Sequence, residues 1–186
     1  MKKSIILLGL LMFSLYNAQL SKIVEIDRIY SSKNKEIYNK YKKVRNEERK
    51  LEEEKINTER LDGYEAAIKH IQKDDPQVNS EDLKKDFTKF AEYETGITGF
   101  RKLISQDFDS SAITDTKGTL RTVARFLVDE KGNVSNVTAE GSNREFNLLT
   151  IITLYKTMNK GKWKPAELNG VPIQSIFAMP LTMQFE

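Results

Sequence analysis

No cysteine occurs anywhere in the chain, which excludes a disulfide scaffold, a thiolate zinc site and a cysteine nucleophile. Disulfide-free exported proteins are common, so this absence does not assign a compartment. Histidine is almost as scarce. His70 is the only one, next to Lys69, with no second imidazole to build a metal set; it reads as a surface or seam residue. A serine triad needs a base in a G-x-S-x-G setting, and His70 has none. Phosphate-cradling loops are missing too, since Gly96 and Gly99 stand without a P-loop lysine. Carboxylates are plentiful, but nothing in the sequence marks a pair for proton transfer. The chain is therefore read as non-enzymatic, with no cofactor and no metal expected.

A strong excess of one charge is also lacking. The formal net charge is +3, and it falls to about +1 without Lys2 and Lys3, which lie in a segment expected to be removed. Specific nucleic-acid binding calls for a clear basic face, so no nucleic-acid partner is expected. Long apolar runs are confined to the start. Lys2 and Lys3 precede Ile5, Ile6, Leu7, Leu8, Leu10, Leu11, Met12 and Phe13, and Asn17-Ala18-Gln19 follows. This is the order of a secretory signal peptide over residues 1–18, implying a periplasmic protein. The alternative is an uncleaved inner-membrane anchor facing the periplasm. Against it, about twelve or thirteen apolar residues fall short of the ~20 that a spanning helix needs.

From Lys22 to Glu94, Gly and Pro are nearly absent and charges of both signs alternate, a pattern that supports helix. Residues 19–95 are read as a charged helical arm or helical hairpin. Ile37, Tyr41, Val44 and Leu51 form one stripe, and Leu61, Tyr64, Ile68 and Ile71 a second. The heptad fails between them at Glu48, Lys55 and Thr58. The arm is either a coiled coil giving a homodimer or an amphipathic helix that folds back on itself or packs weakly on the rest of the chain. Asp74-Asp75-Pro76 is the expected break. Asn79 or Ser80 then caps a short helix with Leu83, Phe87 and Phe90, ended by Thr95-Gly96.

Residues 96–186 read differently. After the glycines of a linker, Phe100, Leu103, Ile104 and Phe108 share a helical face. Leu120, Ala124, Phe126 and Val128 alternate with Arg121 and Arg125, as in a half-buried strand. The two arginines either meet a carboxylate on a partner or line a solvated sheet face. A turn at Asp129 to Asn133, with Gly132 free to take positive φ, leads to a second strand from Val134 to Ala139. A helix follows from about Arg144 to Lys160, carrying Leu148, Ile151, Ile152, Tyr155 and Met158 and stopped by Gly161. Trp163 either closes the core or is an exposed binding aromatic. After a turn at Asn169-Gly170, a final strand alternates through Val171, Ile173, Phe177, Met179, Leu181, Met183 and Phe185, broken only by Ser175. The fold class expected is α+β, a small antiparallel sheet with helices packed on it.

The succession of Phe126-Leu127-Val128-Asp129, Gly132, Val134, Trp163-Lys164-Pro165-Ala166, Asn169-Gly170-Val171-Pro172 and Met179-Pro180-Leu181-Thr182-Met183-Gln184-Phe185 resembles the C-terminal domain of the TonB family over residues 96–186. The resemblance implies a periplasmic module that grips outer-membrane receptors. It pairs a short extended receptor segment with an open strand edge and transmits energy from an inner-membrane complex. The implied partner is a TonB-dependent receptor or a related transport component. The family's proline-rich linker is replaced here by the charged helical stretch. An envelope assembly factor that oligomerises through its arm, or an anchored energy transducer, is the alternative function.

One feature of the last strand is physical and independent of any family. Main-chain groups of successive residues in a strand point to opposite neighbours. Pro172 and Pro180 share a parity, and proline is tolerated where no ladder bond is needed. Even-numbered residues are then expected on an open edge, with Gln174, Ile176 and Ala178 offering unclaimed donors and acceptors between Pro172 and Pro180. Such an edge suits strand addition. Edge prolines also serve the opposite end, blocking unwanted pairing.

Overall fold

The fold was obtained as a computed structural model. It describes residues 2–76, 78, 83, 86–113, 116–158 and 160–185, with the backbone alone for residues 2–20. The chain divides into two compact units, Met1–Ile71 and Gln72–Glu186.

The first unit is an antiparallel helical hairpin. Helix α1 (Lys2–Tyr41) and helix α2 (Glu47–Lys73) are joined by a turn in which Lys42 takes φ 51°. Its N–H donates to Tyr38 O at 2.6 Å, a left-handed stop normally given to Gly or Asn. Asn46 Oδ1 accepts from Arg49 N at 3.0 Å, and Glu47 and Glu48 sit in the first turn of α2, where the helix dipole favours negative charge. The chain therefore folds back between Lys42 and Asn46. Asp74-Asp75-Pro76, where the break was expected, ends α2 instead. The register of the first apolar stripe is lost at this turn, leaving Val44 and Leu51 exposed. The second stripe, Leu61, Tyr64, Ile68 and Ile71, is buried. Among helices whose side chains are described, none is long and apolar enough to cross a membrane.

Between the helices, Arg60 Nε donates to Tyr64 Oη at 2.9 Å and Tyr64 Oη donates to Asp27 Oδ1. The Arg60 guanidinium lies 4.1 Å from the Tyr30 ring centre. Burial pushes the Tyr64 hydroxyl pKa upward, and its bond to Asp27 adds to the shift. Exposed ion pairs, Lys33–Glu59 and Lys40–Glu52, flank this centre.

The second unit is α+β. Its first elements are strand β1 (Glu92–Tyr93), helix α3 (Gly96–Asp107) and a single 3-10 turn at Ser110–Ala112. Strand β2 (Gly118–Val128), strand β3 (Val134–Gly141) and helix α4 (Arg144–Thr157) follow. The chain ends in short strands β4 (Trp163–Lys164), β5 (Ala166–Leu168) and β6 (Val171–Ile173), then β7 (Ser175–Phe185). The main sheet is antiparallel, ordered β3-β2-β7. Helix α4 packs on β2 and β3, and α3 packs on α4 and β1. Even residues of β2 and odd residues of β7 face this core: Phe126 opposes Phe177 and Ala124 opposes Met179. The strand alternation read from Leu120 to Val128 thus has its packing partner.

Local chemistry fixes the joints. The Asp129 carboxylate accepts from Lys131 N at 2.8 Å and Asn133 N at 2.7 Å, closing the β2–β3 turn. Asn143 Oδ1 accepts from Phe146 N at 2.7 Å and caps α4. Strand β3 carries a bulge, Asn136 and Val137 standing opposite the single residue Phe126, and Asn136 takes φ 53° there.

Two stretches depart from the sequence reading. Helix α3 starts at Gly96, so Gly96 to Gly99 is helical rather than linker. Phe87 to Ala91 is non-helical: Lys89 bridges Glu167, and Thr88 N donates to Glu167 O at 2.8 Å. Asn79 and Ser80, the expected caps, lie outside the described residues. The unit boundary falls between Ile71 and Gln72, against 95/96 in the sequence reading. The cause is that Glu92 pairs with Lys164 and Tyr93 with Trp163, drawing residues 72–95 into the second unit.

Candidate functional site: a free strand edge beside an aromatic groove

Strand β7 stands at the end of the main sheet, paired with β2 along its whole length from Ser175↔Val128 to Phe185↔Gly118. Pro180 is opposite Val123. Proline has no N–H, so this pair cannot be one that exchanges two main-chain bonds. Alternation then assigns the rest. Ser175, Phe177, Met179, Leu181 and Met183 bond to β2, while Ile176, Ala178, Thr182 and Gln184 direct their main-chain groups away from it. Among the described residues, no strand pairs with that outer edge. The side chains of Ile176, Ala178, Pro180, Thr182 and Gln184 are all exposed.

The five expected site residues are not all brought together. Ile176, Ala178 and Pro180 lie on β7. Pro172 lies in β6 opposite Glu167, and Gln174 is the link between the two strands. The last strand is thus two. Asn169 (φ 53°) and Gly170 (φ 82°) form a tight turn, which folds Val171–Ile173 back on Ala166–Leu168 before β7 begins. Val171 is consequently 61 % exposed rather than on the core face, and Ser175 is buried opposite Val128. The open edge is β7 alone, with Pro180 inside it instead of two prolines at its ends.

Beside Phe177 an open groove of about 560 Å³ is lined by Lys89, Phe90, Ala91, Glu92, Tyr93, Ile97, Trp163 and Phe177. Trp163 is its structural centre, with ring centroids 4.8 Å from Phe177, 5.0 Å from Phe100 and 5.1 Å from Phe126. It closes the core and also presents a face to the groove. Buried Trp163 Nε1 and Tyr93 Oη have no hydrogen-bond partner among the described residues. Burial, then the nearby Glu94 carboxylate, pushes the Tyr93 hydroxyl pKa up. Phe90 is 76 % exposed at the rim.

Sequence reading missed Phe90, Tyr93, Ile97 and Phe177 as groove residues. Burial alternates there, with Phe90 and Glu92 exposed and Ala91 and Tyr93 buried, but an apolar Phe90 at an exposed position hides that period from the sequence. Rim charges are answered, with Lys89 at 2.8 Å from Glu167 and Lys164 at 3.8 Å from Glu92. On the other sheet face, Arg125 pairs with Glu140 at 2.8 Å, whereas Arg121 is exposed with no ion pair among the described residues. His70 is exposed on α2, and no group of three or more His, Asp or Glu among the described residues is arranged to hold a metal ion. Comparisons with protein-family models, curated proteins and solved structures return no match to this chain.

Proposed function

We propose that this is a non-enzymatic envelope protein, exported to the periplasm, whose second unit captures an extended protein segment by adding it to the outer edge of β7. The observation that supports it is the parity of Pro180, which directs the main-chain groups of Ile176 and Ala178 to an edge carrying no internal strand. Main-chain bonds of this type supply affinity without demanding a particular sequence. The resemblance to TonB C-terminal domains agrees with this mode and suggests a TonB-dependent receptor or a related transport component as the source of the segment.

Ala178→Pro tests it directly. The change removes one outward N–H, and Ala178 makes no ladder bond to β2 by the same parity. Phe177, the residue before it, is already extended, as a residue preceding proline must be. Stability should change by no more than about 1 kcal/mol, while binding of receptor-derived extended peptides is lost. Binding is read by amide shifts at Ile176 and Ala178 in the parent. Undiminished binding to the variant would sink the proposal.

A further inference from the structure

The free edge of β7 has unlike surroundings on its two faces. On the core face, at Phe177, lies the groove with Phe90, Ile97 and Trp163. On the outer face Arg121 sits opposite Thr182, exposed and with no ion pair among the described residues. Resting on the strand-addition reading above, we infer that the captured segment is amphipathic with a fixed spacing. It carries a bulky uncharged apolar side chain opposite Phe177 and a carboxylate opposite Thr182, five positions along.

Geometry sets the spacing. Side chains alternate between faces along a strand, and positions an odd number apart lie on opposite faces. A residue reaching the groove and one five positions away therefore face the core side and the Arg121 side respectively. Charge sets the chemistry. The two charged residues that line the groove, Lys89 and Glu92, already have partners in Glu167 and Lys164, so a charged side chain entering would lose hydration without gaining a free counter-ion. Arg121 across the sheet offers that counter-ion. Pro180 lies between the two subsites and denies the added strand one donor, which concentrates recognition at its ends.

Trp163 is the sole tryptophan, so its emission reports the groove, while amide shifts at Ile176 and Ala178 report the edge. The full mature chain is titrated with blocked decapeptides on a threonine framework. They carry Leu or Ser at one position and Glu or Lys five along, each made in both chain orders. The Leu/Glu peptide should shift both reporters and bind about tenfold tighter than Ser or Lys versions. Phe90→Ala, at an exposed rim position, should erase the Leu preference, and Arg121→Glu should reverse the Glu preference. Equal binding of all peptides, with edge shifts but silent Trp163, overturns this inference and leaves strand addition standing. Silence of both reporters with every peptide overturns both. A change in Trp163 emission that follows protein concentration without peptide identifies a second copy as the occupant, and also overturns the inference.

Discussion

Gly132 takes φ +82°, and a Cβ there would lie 2.1 Å from the carbonyl oxygen of Trp163. Two costs coincide, a left-handed backbone and a collision with main chain rather than with a flexible side-chain tip. Gly132→Ala should destabilise the second unit by at least about 2 kcal/mol, seen as an earlier urea midpoint in Trp163 emission. An unshifted midpoint would mean that the turn yields freely. Asp75 is the titrating counterpart. Its carboxylate accepts from Asn136 N at 2.8 Å. Burial pushes its pKa up, the Asn136 bond pulls it partly back, and Asp74 pushes it up again. A raised folded pKa means that the contribution to stability is complete below the unfolded value near ~4 and is lost as pH rises through the folded value. Asp75→Asn keeps an acceptor for Asn136 N and has no charge to bury. The variant should be more stable than the parent at pH 7, with the gap closing toward pH 4. A variant that is weaker at pH 7 would show that the carboxylate is favourably paired. Of these residues, Gly132 was legible from its turn sequence. Asn136 was not, because a bulge is set by a partner strand that single-sequence periodicity cannot see.

Elements with strong local periodicity were readable, and those defined by a distant partner were not. β2, β3 and α4 follow from alternation, turn chemistry and a 3–4 apolar stripe. Residues 86–93 carry phenylalanines at helix-like spacing, yet they become extended because β4 and β5 offer ladder bonds to them. The break between α1 and α2 left no glycine or proline to find, since a lysine occupies the left-handed position. On the β7 edge, parity was legible from Pro180, while the extent of the strand was not, because the β5–β6 hairpin takes Val171–Ile173. The helical hairpin permits a sharper expectation. Arg60 is 4 % exposed and tied to Tyr64 and Asp27, whereas Lys40–Glu52 is shorter but exposed. Burial decides which matters, since exposed pairs are screened and buried ones leave a stranded charge when broken. Arg60→Ala should cost about 3 kcal/mol by urea unfolding followed at 222 nm (a helix signal), and Lys40→Ala should be close to neutral. Equal effects would contradict the ranking.

At the scale of the molecule, the boundary between units decides what an isolated binding module must contain. Residues 96–186 hold the three-stranded sheet, both of its helices and the whole free edge, so a chain starting at Gly96 keeps the edge of β7 and Arg121. It also deletes Tyr93, which is 2 % exposed and stands 5.6 Å from Trp163 and 4.9 Å from Phe100. The same deletion removes β1 from β4 and the Lys89 bridge from β5. Trp163 loses a wall, and the groove loses Phe90. A chain starting at Gln72 retains all of these contacts, together with the bond from Gln72 Nε2 to Val137 O at 2.8 Å. The chain of residues 72–186 should therefore melt cooperatively with buried-tryptophan emission. That of residues 96–186 should be less stable by at least about 3 kcal/mol, with red-shifted emission before any denaturant is added. If the two chains melt alike, β1 and the Lys89 bridge are dispensable, and the groove is a by-product of loop packing rather than part of the folded core.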